Sequence, residues 1–147
     1  MNLKETVLLY MKKLDNFVSC LSVLKGADFE FASNNEIYRT GVIGQFNLTF
    51  ELAWKALQAV LRVHGAEGAE TGSPREILQL GFKMGFIDDS AVWLTMLKKR
   101  NTSTHIYDED EVDELLLLIR DSFTPAFSVL ESTLKNRLAE AEGDWDK

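Results

Sequence analysis

Apolar residues recur at steps of three and four along most of this chain, and that spacing limits it to a helical fold. An α-helix turns once in about 3.6 residues, so side chains at these steps share one face. No stretch alternates polar and apolar residues for long enough to form a strand, and the chain has only two prolines. The first stripe predicts a helix over residues 3–25, and it comprises Leu3, Val7, Tyr10, Met11, Leu14, Phe17, Val18, Leu21 and Leu24.

A second stripe predicts a long helix that ends near His64. Residues 29–35 read as a linker before it, and Asn34 or Asn35 is suited to cap its start. Gly41 and Gly44 each weaken a helix by about 1 kcal/mol against alanine, but their small size would allow a close approach of another helix. The stripe consists of Ile43, Phe46, Phe50, Ala53, Trp54, Leu57, Val60 and Leu61.

Strong capping signals begin two shorter helices. Ser73 suits an N-cap, Pro74 the first helical position, and Glu76 completes a capping box. Gly85 is suited to end that helix. Asp88, Asp89 and Ser90 then cap a helix that carries Val92, Trp93, Met96 and Leu97.

The last stripe predicts a helix of about 30 residues that Asp108 caps. Pro125 lies inside it, so we expect a bend near Asp121 and Ser122. The sequence as a whole predicts one all-α domain over residues 1–147, an elongated antiparallel up-and-down bundle of four to five helices. We expect its buried stripe to contain Phe46, Phe50, Trp54, Trp93, Leu97, Leu116, Phe123 and Phe127.

The net charge and the composition exclude some classes of function for this chain. The net charge of −7 argues against a generic basic nucleic-acid-binding surface, but it leaves room for a small local basic site. A single cysteine, Cys20, excludes an intramolecular disulfide and a cysteine-only metal site, and it is expected in the core. No apolar run approaches transmembrane length and the N-terminus lacks a signal-peptide core. We therefore expect a cytoplasmic protein that does not enter a membrane.

A polar segment at residues 100–107 concentrates the groups that can carry chemistry. Arg100 can hold a phosphate through two parallel hydrogen bonds. His105 can donate or accept a proton near neutral pH, and Asn101 and Tyr107 lie beside them. Such a set can cleave RNA without a metal, and a symmetric dimer would supply the second histidine that a base and an acid require.

Each of these residues also has a structural interpretation. Arg100 suits the C-terminus of a helix, and Asn101 suits a left-handed C-cap. His105 would then be a buried loop residue, and Tyr107 would pack beneath the loop. A metal site of His105 with nearby carboxylates is disfavoured because those acids follow helical spacing, and no metal or cofactor is expected. His64 is expected at the surface.

Several blocks of sequence resemble one protein family. Arg100-Asn101-x-x-x-His105-x-Tyr107 resembles the R-x4-H-x-Y signature of the HEPN superfamily (higher eukaryotes and prokaryotes nucleotide-binding). The blocks at residues 46–55 (FNLTFELAWK), 73–77 (SPREI) and 93–98 (WLTMLK) are similar to its branch of nucleotidyltransferase substrate-binding proteins. The resemblance extends over nearly the whole chain.

The resemblance implies a homodimeric helical bundle that works with a cognate minimal nucleotidyltransferase. Related pairs are toxin–antitoxin systems, in which the HEPN protein is a metal-independent RNase and its partner transfers AMP to the motif tyrosine. Arg100 and His105 would be catalytic, Asn101 supporting, and Tyr107 the modified residue. Two alternatives remain: a non-catalytic subunit that presents a nucleotide or another substrate to the nucleotidyltransferase, and a helical interaction module whose motif only anchors a loop.

Overall fold

The chain folds into packed helices in the computed structural model, which describes residues 2–105 and 108–143. No strand forms within those residues, so the predicted all-α fold is confirmed. The elements are α1 (Leu3–Lys25), α2 (Phe29–Asn34), α3 (Glu36–Val63), α4 (Pro74–Lys83), α5 (Ser90–Thr102), a 3-10 turn (Ser103–His105), α6 (Glu109–Leu118), a π-helical turn (Ile119–Phe123) and α7 (Thr124–Gly143).

Caps set most of the helix boundaries where the sequence predicts them. Asn35 accepts a hydrogen bond from the backbone N–H of Tyr38 at the start of α3. The reciprocal bonds of the capping box between Ser73 and Glu76 begin α4. The predicted linker at residues 29–35 is wrong, because Asp28 accepts from the N–H of Phe31 and caps the short helix α2.

An aromatic cluster forms the centre of the core and joins four helices to the π turn. Phe46 of α3 stacks on Phe123 with ring centroids 5.2 Å apart, and it also contacts Phe127 of α7. Phe127 in turn contacts Phe17 of α1 and Trp93 of α5. Since α3 packs against α1, α4, α5 and α7, it is the central helix.

Small residues permit a close helix approach at a different position from the one expected. Gly41 and Gly44 have open space where a Cβ would lie, so they bring no two of the described helices together. At Gly81 a Cβ would lie 2.9 Å from Leu57 Cδ2 and 3.3 Å from Ile87 Cδ1. Gly81 therefore sets how closely α4 packs on α3.

Pro125 disturbs the last helical run at the position that the sequence predicts. The disturbance is a π turn rather than a simple bend. Pro125 has no N–H to donate to the carbonyl of Asp121, and its ring crowds that carbonyl. The chain widens into the π-helical turn Ile119–Phe123 directly before it. Such turns accommodate a residue that the regular helix cannot.

Two polar contacts tie the core helices together. The Cys20 thiol is buried and lies 3.3 Å from the hydroxyl of Thr49, as expected for a small core side chain. His64 is exposed, as predicted, and its Nε2 also makes a 2.9 Å hydrogen bond with the carbonyl of Arg137. That bond fastens the end of α3 to α7.

Trp54 is the exception in the predicted core. The other seven residues of that stripe are buried, whereas Trp54 is only partly buried at the edge of the core. Its indole Nε1 donates a hydrogen bond to a Glu51 carboxylate oxygen at 3.1 Å. A tryptophan whose N–H needs a partner is more easily satisfied at such an edge.

We therefore predict that Phe46→Ala destabilises the fold more than Trp54→Ala. Phe46 is fully buried, so its truncation should cost about 3–5 kcal/mol, and the partial exposure of Trp54 should reduce the loss there. Urea unfolding at neutral pH measures both. An equal or greater loss for Trp54→Ala would contradict the predicted order.

Candidate functional site

A single carboxylate organises the polar end of the bundle. Glu51 projects from the middle of α3, and its Oε2 accepts a 2.6 Å hydrogen bond from Arg100 of α5. The same oxygen accepts from Trp54 Nε1, and Oε1 lies 3.2 Å from Lys55 Nζ. The cluster of Lys55, Glu51 and Arg100 therefore carries one net positive charge, and its arginine is fixed from the opposite helix.

Arg100 keeps donors available although it is held in place. A guanidinium has five N–H groups, of which one contacts Glu51 and one donates to Asn101 Oδ1 at 3.1 Å. The side chain is 32% exposed. Its remaining N–H groups have no acceptor among the described residues, so they are free for an external anion.

The motif segment is more helical than the sequence indicates. α5 continues to Thr102 and passes directly into the 3-10 turn, so Arg100 and Asn101 belong to the helix. No described residue other than glycine has a positive φ, which makes the left-handed C-cap at Asn101 wrong. Asn101 instead acts as the second partner of Arg100.

A further polar contact fixes the 3-10 turn to α3. Asn47 Nδ2 donates to the hydroxyl of Ser103 at 2.9 Å. That hydroxyl lies 3.1 Å from the carbonyl of Arg100, to which it donates in turn. Asn47 and Glu51 are one helical turn apart, so the same face of α3 holds both the end of α5 and the turn after it.

His105 is exposed at the end of this turn, so the interpretation as a buried loop residue is wrong. It lies about 9 Å beyond Arg100 along the helical axis and roughly half a turn around it. The described residues include no hydrogen bond between the two side chains. Within one chain, Arg100 and Asn101 contact each other, and ideal helical geometry places the backbone of His105 on another side of the same helix end. Tyr107 lies outside the described residues.

Glu51, Asn47 and Ser103 are site residues that the sequence analysis did not single out. Glu51 sits four residues before Lys55, a spacing typical of a solvated pair on a helix surface. Two signals were present: Asn47 and Glu51 lie in the block at residues 46–55 that resembles the family, and Glu51 is the only acidic residue of α3 beyond its first turn. The local sequence gives no indication that an arginine 49 positions later would be its partner.

The surroundings of Glu51 favour its ionised form. Burial alone would raise its pKa, but the hydrogen bonds from Trp54 and Lys55 and the charges of Arg100 and Lys55 outweigh burial and lower the pKa below 4.5. The carboxylate is therefore charged at neutral pH, as its contact with Arg100 requires.

We found no group of three or more His, Cys, Asp or Glu residues that could hold a metal ion within 2–105 and 108–143. Across the same residues, no helix combines the length and apolar character that a membrane crossing requires.

We predict that Glu51→Gln removes a contribution to stability that depends on pH. Because the folded pKa is lowered, this contribution is present above about pH 4.5 and is lost as the pH falls through the folded pKa. At neutral pH the variant should lose up to about 1 kcal/mol, since the group is partly exposed to solvent. Urea unfolding of both proteins from pH 7 down to about pH 3 should show the two stabilities converging. A constant difference over this range would contradict the ion pair.

The comparisons agree with this architecture. The family model described as "nucleotidyltransferase substrate binding protein like" matches residues 12–136. A crystal structure of a protein from Thermus thermophilus is similar at 27% sequence identity with a TM-score of 0.63, covering 83% of this chain and 98% of that one. A search of curated proteins finds no significant match. Since the family model spans most of the sequence, the chain belongs to the nucleotidyltransferase substrate-binding protein-like family, the HEPN-like branch that its motifs resemble.

Proposed function

We propose that this chain is the HEPN-type partner subunit of a minimal nucleotidyltransferase and acts in the cytoplasm as a metal-independent endoribonuclease. In this proposal it is the toxin of a toxin–antitoxin pair. Arg100 and His105 carry the chemistry, Asn101 supports Arg100, and Tyr107 is the residue at which the partner neutralises the activity. A homodimer is the active form.

The observation that carries the proposal is that Arg100 is fixed in position and still has N–H groups to donate. Glu51 and Asn101 fix its guanidinium at the end of α5, while its other N–H groups remain unoccupied by described residues. A fixed donor is most useful where charge develops in a transition state, because it needs no reorganisation during the reaction. The exposed His105 on the next turn provides an imidazole, the side chain that most often serves as a general acid or base.

The proposed reaction is transesterification within the RNA strand. A histidine removes the proton of a ribose 2′-hydroxyl, and the 2′-oxygen attacks the adjacent phosphorus. The bond from phosphorus to the 5′-oxygen breaks, and a second histidine protonates the leaving oxygen. The products are a 2′,3′-cyclic phosphate and a 5′-hydroxyl. Arg100 stabilises the charge on the pentacovalent phosphorus.

The position of His105 supports a two-chain site. One chain has one motif histidine, and by ideal helical geometry it lies roughly half a turn from Arg100 around the helix end. A symmetric dimer places a second copy of each residue across a shared cleft. The base and the acid would then come from different subunits.

Neutralisation requires the partner enzyme. The phenolic oxygen of Tyr107 would attack the α-phosphorus of ATP, giving a tyrosine–AMP phosphodiester and releasing pyrophosphate. An ordinary phenol has a pKa near 10 and is mostly protonated at neutral pH. The nucleotidyltransferase must therefore supply the base that removes its proton.

We predict that His105→Ala reduces cleavage of single-stranded RNA by the purified protein about 10²–10⁴-fold. Arg100→Ala should reduce it about 10²–10³-fold, since it removes transition-state stabilisation. Cleavage by the wild-type protein should persist in EDTA. Gel analysis of a labelled RNA, with identification of the cyclic phosphate end, measures these effects.

The chain's other histidine provides the matched control. His64 contacts Arg137 at the junction of α3 and α7, so His64→Gln should keep wild-type cleavage. If the His105 and Arg100 variants cleave RNA as fast as the wild type, or if the wild type leaves it intact, the ribonuclease proposal is wrong.

We further predict that production together with the cognate nucleotidyltransferase adds one or more AMP units to the protein and relieves its toxicity. Intact-mass spectrometry and a growth assay of the same strains measure both effects. Tyr107→Phe should carry no adduct and remain toxic in the presence of the partner. An unmodified protein whose toxicity is nevertheless relieved would argue against modification as the means of control.

A further inference from the structure

Two grooves of opposite charge flank the helical run that carries Arg100 and His105. The groove between α3 and α6 encloses about 520 Å³, and its lining includes two carboxylates, Glu36 and Glu109, against one guanidinium, Arg39. The groove between α4 and α5 encloses about 450 Å³, and the described residues that line it include two cations and no carboxylate. In a chain of net charge −7, the second groove is a local positive site.

We call this second site the basic groove. Its wall on α5 consists of residues at steps of three and four, which spread over about 12 Å of that helix. Arg75 of α4 faces them across the groove. The lining residues are Arg75, Leu94, Thr95, Leu97, Lys98, Asn101 and Thr102.

The two cations make no side-chain bond within the described part of the fold. Neither Arg75 nor Lys98 makes an ion pair or a side-chain hydrogen bond to a described residue, and both are exposed. The helix dipole explains a cation at Lys98, in the last turns of α5, but it disfavours one at Arg75, the second residue of α4. The adjacent carboxylate of Glu76 is bonded back to Ser73 in the helix cap and makes no ion pair with Arg75.

The basic groove adjoins the candidate catalytic arginine. Asn101 lines the groove, and its Oδ1 accepts the hydrogen bond from Arg100. An anionic chain that lies on Arg75 and Lys98 would therefore pass over Asn101 to Arg100. The groove and the candidate site form one continuous surface.

The hydroxyl groups in the groove favour ribose as a neighbour of the bound phosphates. Thr95 donates its hydroxyl proton to the carbonyl of Ala91 at 2.9 Å, and Thr102 donates to that of Lys98 at 3.0 Å. Both oxygens therefore offer only lone pairs. They repel a phosphate oxygen but can accept the proton of a ribose 2′-hydroxyl, which DNA lacks.

We propose that the basic groove binds the backbone of single-stranded RNA, with Arg75 and Lys98 each on a phosphate, and directs the strand to Arg100. This inference rests on the proposed ribonuclease function. The threonine oxygens select the 2′-hydroxyl, and the two cations bind independently of the base sequence.

The test measures binding in the full-length His105→Ala protein, so that the RNA stays intact. Fluorescence anisotropy with a short labelled single-stranded RNA gives the Kd at several salt concentrations. Arg75→Ala and Lys98→Ala together should weaken binding about tenfold or more, equally for unrelated sequences. The slope of log K against log salt should fall by about 1.4, since each single-strand phosphate contact contributes about 0.7.

Matched variants separate local charge from net charge. Lys83→Ala removes an exposed cation from the other end of α4, outside the groove, and should leave the affinity and the salt slope unchanged. Arg75→Lys with Lys98→Arg should restore most of the binding. DNA of the same sequence should bind more weakly than RNA.

The outcomes distinguish a failure of this inference from a failure of the proposed ribonuclease function. If the doubly substituted protein binds RNA like its parent, the groove proposal is wrong while the ribonuclease proposal stands. If the parent protein binds no RNA, both are wrong.

A parallel titration with ATP identifies the source of the phosphate. If the double substitution abolishes ATP binding but leaves RNA binding intact, the groove is a nucleotide site and the RNA assignment is wrong.

Discussion

The polar end of this bundle depends on the ion pair between Glu51 and Arg100, which joins the central helix to the helix that carries the motif. An arginine in the last turn of a helix would otherwise sample many rotamers, with about 2 kcal/mol of side-chain entropy. Glu51 restricts that freedom from across the helix interface, and Asn101 restricts it from the adjacent position. The contact depends on the core. Phe46 and Phe50 are buried there, and their packing fixes the position of Glu51 along the axis of the bundle.

The sequence predicts the scaffold well because burial and capping are local or periodic. The stripe of α1, the capping box at Ser73 and the disturbance before Pro125 each follow from residues a few positions apart. The predictions are wrong where contacts between helices determine the position of a residue. Trp54 follows the apolar period, yet it lies at the core edge because its indole N–H bonds to Glu51. The close approach of helices occurs at Gly81 rather than at Gly41 or Gly44, because a helical period does not reveal which face meets a partner.

The candidate site also contains some residues that the sequence identifies and others that only the packed fold reveals. Arg100, Asn101 and His105 could be identified from residue type and spacing, and the structure joins the first two directly. Glu51 could not, because its pairing with Lys55 at four residues is also what a solvated helix surface shows. The contact that fixes the arginine spans 49 positions and becomes visible only when α3 and α5 are packed together. A sequence motif thus supplies the candidate reacting groups, and the fold supplies the partners that hold Arg100.

The distribution of charge resolves the conflict between an acidic chain and the proposed anionic substrate. Net charge acts over distances that salt screens within about 8–10 Å, so a bound phosphate responds mainly to the groups nearest to it. Around Arg100 those groups are Glu51 and Lys55, which leave the cluster one positive charge in excess. The carboxylate lowers the attraction of Arg100 for an anion, but it also fixes the guanidinium before the anion arrives. Binding then requires less ordering of side chains, and the stabilisation that remains is directed at the transition state of the proposed reaction.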